Sequence, residues 1–196
     1  MSLQKIQEFT GNASRDNWLK YADELRQRAL TLWENRGNRW IDVNSDKVIE
    51  IERPSVSRSF MLVAGLAIEN ALKANLVAID PSLINKGILD KTLQEHNLTK
   101  LSAMTNGFAF TEKELELMEI FSEAIPYWGR YPIPRHFNNI KTESILTEEV
   151  FTTFSSLFKK VFYKTLDLIK NGWDAGNGVS FKEIHYHNFD DEKYNI

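Results

Sequence analysis

The chain has 196 residues, of which 42% are hydrophobic and 26% charged, and this composition predicts one ordered domain with a substantial core. The formal net charge of −3 disfavours a protein that coats duplex nucleic acid over a long footprint, because such proteins carry a strong basic excess. The absence of cysteine excludes disulfides, thiolate nucleophiles and cysteine-ligated zinc.

No targeting or membrane-spanning segment is predicted. Residues 1–10 lack an apolar signal core, and Glu69, Asn70 and Lys73 interrupt the apolar run from Phe60 to Ile68 before it could span a bilayer. We therefore expect a cytoplasmic protein that makes no use of a membrane. A single domain should cover residues 1–196, with a partly flexible tail from about residue 173.

The first predicted helix begins after Ser14 and ends at Gly37. Residues 38–53 then place short apolar runs on either side of Asn44-Ser45-Asp46, which predicts a short β-hairpin or an ordered loop closed by Pro54. The apolar residues of the helix recur at the three- and four-residue steps of a buried face. They are Trp18, Ala22, Leu25, Ala29 and Trp33.

The second predicted helix covers residues 57–79, with Ser55 or Ser57 as its cap. Only four of the twenty residues from Phe60 to Ile79 are polar. A helix that is apolar on nearly every side must lie at the centre of the fold.

A short helix is predicted to begin at His96-Asn97 and to end at Asn106-Gly107. The next helix has the clearest start in the chain, because Thr111 with Glu114 forms a capping-box pattern and Phe110 with Leu115 a hydrophobic-staple pattern. Its predicted buried stripe consists of Leu115, Met118, Phe121 and Ile125.

After Pro126, the pattern predicts a loop over residues 127–137 and a last long helix over residues 147–170. Together these elements predict an all-α fold, an antiparallel bundle of four to five helices with a short β-hairpin at about residues 38–53. Broad apolar stripes favour a homodimer. The inward side of the last helix is predicted to contain Val150, Phe154, Leu157, Val161 and Leu168.

Glu69 and Lys73 are four residues apart and share one face of the central helix. The simpler interpretation is an internal ion pair, which a carboxylate in apolar surroundings needs. The functional alternative is that this pair orients a residue of a site.

The loop after Pro126 gathers the residue types that bind nucleic acid. Arginine offers a planar fork for phosphate and the aromatic rings offer faces for bases, while histidine exchanges protons near neutral pH. The alternative is a proline-ordered connection whose aromatic side chains plug the bundle. The residues concerned are Trp128, Arg130, Tyr131, Arg135 and His136.

The other histidines carry weaker signals. His96 precedes Asn97 at a helix start, where capping is the favoured role for the pair. His185 and His187 lie two apart in the tail, but two histidines without a third fixed ligand do not define a metal site. We expect no metal and no cofactor.

Three segments resemble bacterial proteins of the HEPN family, named for a nucleotide-binding domain of higher eukaryotes and prokaryotes. Residues 64–74, AGLAIENALKA, are similar to its second helix, and residues 96–101, HNLTKL, to the short element that follows. Residues 128–134, WGRYPIP, resemble the loop before the last long helix. The similarity spans about residues 57–170.

The resemblance implies an all-α bundle that often dimerises. Many members are metal-independent ribonucleases of toxin–antitoxin or phage-defence systems, marked by an Arg and a His with four to six residues between them. Arg130 and His136 have five between them. The resemblance thus implies that His136 acts as general acid or base at the RNA 2′-hydroxyl and that Arg130 stabilises the phosphorane-like transition state. Glu69, His96 and Tyr131 would support them.

Two hypotheses follow from the resemblance. The first is a ribonuclease with Arg130 and His136 as catalytic residues. The second is a non-catalytic module that binds a nucleotide, an RNA or a partner protein such as an antitoxin, because Pro132 and Pro134 depart from the usual motif. For the central helix we predict that the Glu69 carboxylate lies within hydrogen-bonding or one-water reach of His96 or of residues 127–137.

Overall fold

The computed structural model describes residues 2–42, 50–131, 138 and 144–182. Within them the protein is a helical bundle with a small antiparallel hairpin, which confirms the predicted fold class. The α-helices are α1 (Leu3–Asn12), α2 (Arg15–Glu34), α3 (Ser57–Ile79), α4 (Leu98–Met104), α5 (Glu112–Glu123) and α6 (Glu148–Ile169). The strands are β1 (Asn38–Asp42), β2 (Glu50–Pro54), β3 (Trp173–Asp174) and β4 (Ser180–Phe181).

Helix α3 is the central element, as its composition predicts. It packs against α2, α4, α5 and α6, and every residue from Ala67 to Val77 is buried. By length and composition this one helix of the described part could span a membrane, but 72% of its most apolar window is buried inside the protein. Such burial is what a core helix requires.

Aromatic side chains fill the space between α3 and its neighbours. Phe154 of α6 contacts Phe60 edge to face with ring centroids 5.6 Å apart, and it contacts Phe121 of α5 at 6.2 Å. Trp33 stacks on Phe151 at 4.2 Å. Edge-to-face and stacked pairs add to the large apolar area that each ring buries, so these rings hold α2, α3, α5 and α6 around one core.

The predicted hairpin is present. Strands β1 and β2 pair antiparallel, with Arg39 opposite Arg53 and Trp40 opposite Glu52. The turn proposed at Asn44-Ser45-Asp46 lies outside the described residues. Ser55 and Ser57 do not cap α3 through their side chains, since its N-cap position is Val56. Ser57 Oγ instead donates a hydrogen bond to the Pro54 carbonyl.

Two predicted apolar stripes need correction. On α5, Leu115 is 41% exposed and Leu117 is buried in its place. On α6, Leu168 is 50% exposed, whereas Thr165 and Ile169 are buried. On each helix the predicted and the observed buried residues fit the helical period equally well. Packing against the neighbouring helices therefore decides which residue faces the core.

The capping box at the start of α5 is confirmed and extends to a second helix. The Glu114 carboxylate accepts hydrogen bonds from Thr111 N at 2.7 Å and from Lys160 Nζ of α6 at 2.6 Å. Burial alone would raise the pKa of Glu114, but the Lys160 ammonium and the Thr111 donors outweigh it and hold that pKa below its ordinary value. The folded state therefore favours the carboxylate form.

Glu114→Gln should destabilise the protein by about 1–2 kcal/mol near neutral pH, because a buried charge-assisted hydrogen bond is lost. A depressed pKa means that Glu114 stabilises the fold above its unfolded-state pKa and that this contribution is lost as the pH falls through the folded-state pKa. Urea unfolding of wild type and variant across that acid range should show the two stabilities converging. A difference that stays constant as the pH falls would contradict this assignment.

The segment after α6 folds back onto the start of the chain. Strands β3 and β4 pair antiparallel, and Trp173 Nε1 donates to the Val77 carbonyl of α3. Arg15, at the start of α2, is fully buried with its guanidinium carbon 4.8 Å from the Trp173 ring and 5.2 Å from the Phe181 ring. Burial lowers the pKa of Arg15, an effect that neighbouring Asp16 partly opposes. The contacts of Arg15 with these two rings hold the β3–β4 hairpin against α2.

Candidate functional site

The middle of α3 carries a buried ion pair. Lys73 Nζ lies 2.7 Å from Glu69 Oε1, and the two side chains are only 4% and 5% exposed. Residues four apart on a helix lie one above the other, so α3 itself brings the two groups together. The simpler interpretation of the sequence, an internal ion pair, is therefore confirmed.

His96 is held in place by the turn that precedes α4. The Glu95 carboxylate accepts hydrogen bonds from the backbone N–H groups of His96 and Asn97, both at 3.0 Å. The Asn97 N–H is the main reason why the pKa of Glu95 lies below its ordinary value. Leu98 N donates to Ser122 Oγ of α5 at 2.8 Å, which attaches this turn to the bundle.

The imidazole of His96 points to the buried ion pair. His96 Nδ1 lies 3.0 Å from Glu69 Oε2 and 3.1 Å from Glu69 Oε1. This contact is one of those predicted for the Glu69 carboxylate. Capping by the pair is confirmed through Asn97, the N-cap of α4, whose Oδ1 accepts a hydrogen bond from Lys100 N, whereas His96 itself does not cap the helix.

The Nε2 edge of the His96 imidazole is accessible to a bound molecule. The His96 side chain is 55% exposed, and its Nε2 has no hydrogen-bond partner among the described residues. When the ring is neutral, the contact with the carboxylate places the proton on Nδ1, as the hydrogen-bond network requires. Nε2 is then an acceptor directed away from Glu69 and able to take a proton from a bound molecule.

A groove begins beside this cluster. Lys73 Nζ lies 5.7 Å from the centre of the Trp18 ring, and Trp18 forms one wall of an open groove of about 400 Å³. The Trp18 ring is fixed by a 3.0 Å hydrogen bond from its Nε1 to the Ala13 carbonyl. Residues of α1, α2, α3 and the segment before α4 line this groove, which we call the α1–α2 groove: Phe9, Asn12, Ala13, Asn17, Trp18, Tyr21, Asn70 and Leu89.

A loop was predicted after Pro126. The chain instead forms a π-helical turn over Ala124–Trp128, which contains that proline. Proline cannot supply the N–H that would continue α5, and Gly129 N donates to the Ala124 carbonyl at 3.0 Å instead. Trp128 packs partly buried against the core. Arg130 and Tyr131 are exposed, whereas Arg135 and His136 lie outside the described residues.

The described part of this loop lies near the start of α3 rather than near Glu69. A Cβ added at Gly129 would approach Leu62 Cβ to 3.0 Å, and Leu62 precedes Glu69 by two helical turns, or about 10 Å of rise. Among the described residues, the polar contacts of Glu69 are with Lys73 and His96. The structure therefore unites Glu69, Lys73 and His96, and it places Trp128, Arg130 and Tyr131 in a separate cluster.

Gly129→Ala should deform the turn that carries Arg130. The added Cβ would lie 2.6 Å from the Ala124 carbonyl oxygen, and backbone cannot yield as a flexible side chain does. We expect a loss of about 1–3 kcal/mol in the free energy of unfolding, the usual cost of overpacking. Chemical denaturation measures this loss, with Gly11→Ala as the control because a Cβ at Gly11 meets nothing within 4 Å. Equal stability of the two variants would refute the steric argument.

The α1–α2 groove was not predicted, and a signal for it exists. Trp18 and Tyr21 are three residues apart and therefore neighbours on one face of α2, yet Tyr21 is 51% exposed. An exposed aromatic residue beside a partly buried tryptophan marks the edge of an apolar surface. Helix α1, which also lines the groove, was missed as well, although Leu3, Ile6 and Phe9 recur at three-residue steps in its sequence.

In the described residues no group of three histidine or acidic side chains could hold a metal ion, and His185 and His187 lie outside them. No protein-family model, no curated protein and no solved structure matches the chain.

Proposed function

We propose that this protein is an HEPN-like, metal-independent endoribonuclease and that His96 exchanges the proton of the attacking 2′-hydroxyl. The observation that carries the proposal is the pairing of the exposed His96 imidazole with the buried carboxylate of Glu69, at 3.0 Å. A carboxylate on one ring nitrogen orients an imidazole and stabilises its charged form, while the other nitrogen meets the substrate. Lys73 holds the carboxylate in place.

The proton transfers balance without a cofactor. His96 Nε2 takes the proton of the 2′-hydroxyl, and the resulting alkoxide attacks the adjacent phosphorus. The bond from phosphorus to the 5′-oxygen breaks, and that oxygen takes a proton from solvent or from a second acid. The products are a 2′,3′-cyclic phosphate and a 5′-hydroxyl, and the imidazolium of His96 returns its proton to solvent.

Arg130 and His136 enter the proposal through the family resemblance. Arg130 is exposed on the turn beside Leu62, in a cluster separate from Glu69 and His96, where its guanidinium is available to bind a phosphate of the RNA. The resemblance gives His136 a role as general acid or base, and in this proposal it serves as the second acid. In this proposal Glu69 and Lys73 are positioning residues, because both are buried.

The test is cleavage of a mixed-sequence oligoribonucleotide in the presence of EDTA, with the ends of the products identified by mass spectrometry. Wild type should yield 2′,3′-cyclic phosphates, and His96→Ala, Arg130→Ala and His136→Ala should each lose most of the activity. Lys170→Ala, which changes an exposed side chain just after α6, is the control. Absence of cleavage by wild type, or full activity of His96→Ala, would refute the proposal.

The second candidate is a non-catalytic module that binds RNA or a nucleotide, and the α1–α2 groove favours it. Aromatic walls bind bases without any chemistry at the phosphate. Binding of RNA by wild type without cleavage, and unchanged binding by His96→Ala, would establish this function instead.

We further propose a homodimer, as the resemblance implies. Large apolar side chains remain exposed on the described surface, among them Tyr127, Tyr131 and Leu168, and such residues are enriched at interfaces between subunits. Sedimentation equilibrium of the full chain should give twice the mass of one chain. A monomer at micromolar concentration would refute the dimer without affecting the assignment of His96.

A further inference from the structure

We propose that the α1–α2 groove binds an adenine base and so selects the RNA residue that lies beside His96. The inference rests on the proposed function, because it takes the ligand to be part of an RNA substrate. The volume of the α1–α2 groove, about 400 Å³, lies in the range of about 300–1,000 Å³ that is typical of small-molecule sites. The groove is mostly apolar, with a few polar groups at fixed places, as such sites are.

Aromatic rings give the groove its affinity for a planar ligand. Trp18 and Tyr21 project from adjacent turns of α2, and Phe9 of α1 also lines the groove. The Trp18 ring is immobilised by its hydrogen bond to Ala13. Stacking of a base on a ring that is already fixed costs little side-chain entropy.

Asn70 gives the groove its selectivity. This side chain is 6% exposed, lines the groove and has its amide oriented by a 2.7 Å hydrogen bond from Nδ2 to the Leu66 carbonyl. Oδ1 and the second N–H of Nδ2 have no partner among the described residues. One acceptor beside one donor complements the N6 amino group and N7 of adenine.

The groove and the proposed acid–base group are joined by successive contacts. The Trp18 ring in the groove wall meets Lys73, Lys73 meets Glu69, and Glu69 meets His96. Asn70 follows Glu69 directly on α3. A base in the groove would therefore bring its own ribose or the neighbouring ribose toward His96.

The experiment measures binding of AMP by calorimetry, with ribose 5-phosphate and UMP as comparisons. Wild type should bind AMP at least tenfold more tightly than either, since ribose 5-phosphate has no base to stack and UMP has a smaller base without the adenine N6 and N7 that would face Asn70. Tyr21→Ala should weaken AMP binding about tenfold, whereas Tyr21→Phe should not. Tyr163→Ala changes a tyrosine of α6 that is 39% exposed and should bind as wild type does.

A 2′-O-methylated trinucleotide with a central adenosine separates the two sources of the base. Tighter binding of this trinucleotide than of AMP identifies an RNA residue as the ligand, and tighter binding of AMP identifies a free nucleotide. Either result supports base binding in the groove, provided that Tyr21→Ala weakens the binding of that ligand. Asn70→Ala should remove the preference of AMP over UMP. Failure of both ligands to bind wild type, or equal binding by Tyr21→Ala, would overturn the inference.

AMP contains no internucleotide bond, so this result does not depend on cleavage. Binding of AMP in the groove without RNA cleavage would refute the ribonuclease and leave the groove established. Cleavage of RNA at equal rates by wild type and Tyr21→Ala, without AMP binding, would refute the base-binding groove and leave the ribonuclease established.

Discussion

Lys73→Met should lower the free energy of unfolding by about 3–5 kcal/mol, the usual loss when one partner of a buried ion pair is removed. The Glu69 carboxylate is 5% exposed, so the variant leaves a charge that water cannot solvate well. Methionine has nearly the length of lysine, and the loss therefore reports the charge rather than a cavity. Urea denaturation at neutral pH measures it.

The matched control is Lys170→Met, which removes an exposed partner of Asp167 at 3.1 Å. Exposed pairs contribute about 0–1 kcal/mol, so this variant should stay close to wild type. The double variant Glu69→Gln/Lys73→Met should recover much of the lost stability because no unpaired charge remains. If Lys73→Met loses no more than Lys170→Met, Glu69 and Lys73 do not stabilise the fold as a buried ion pair.

His96→Ala should reduce the rate of RNA cleavage by about 10²–10⁴-fold, the range that one positioned acid or base contributes. The loss should appear in kcat with little change in KM, because the imidazole acts on a proton that moves only in the reaction. His96→Gln keeps a polar side chain and cannot exchange protons, so it should be equally impaired. Single-turnover assays in EDTA separate this step from product release.

Glu69→Gln tests the positioning role of the carboxylate. An amide at Nδ1 orients the imidazole less well than a carboxylate does, so kcat should fall while KM stays constant. A structural role alone would change stability without this selective loss of kcat. Wild-type kcat in a variant that folds would remove Glu69 from the mechanism.

Much of the fold could be predicted where local signals agree. Pro54 and Asp80-Pro81 bracket a mostly apolar stretch, and α3 begins and ends where they place it, at Ser57–Ile79. Thr111 and Glu114 fix the start of α5 in the same way. Side-chain burial was less predictable, since Leu115 and Leu117 both satisfy a helical period and only packing against α3 chooses between them.

The candidate site was predicted in part. Glu69 and Lys73 are neighbours on one helix, so their pairing follows from sequence spacing. The contact of Glu69 with His96 joins residues 27 positions apart, and for this contact the sequence supplied only the family resemblance. The α1–α2 groove depends on how two helices and a turn meet around Asn70, and no local pattern specifies that arrangement.

The contact between the two ends of the described chain has a consequence for synthesis in the cell. Gln7 Nε2 donates to the Asn177 carbonyl across 170 positions, and Arg15 obtains its two aromatic neighbours from the same late segment. At about 5–20 residues per second, a ribosome needs on the order of ten seconds or more to supply that segment after α1 has emerged. During this interval the guanidinium of Arg15 lacks its two aromatic neighbours, so the nascent chain passes through a state in which a chaperone, a protease or a second nascent copy has access to a side chain that the finished protein conceals.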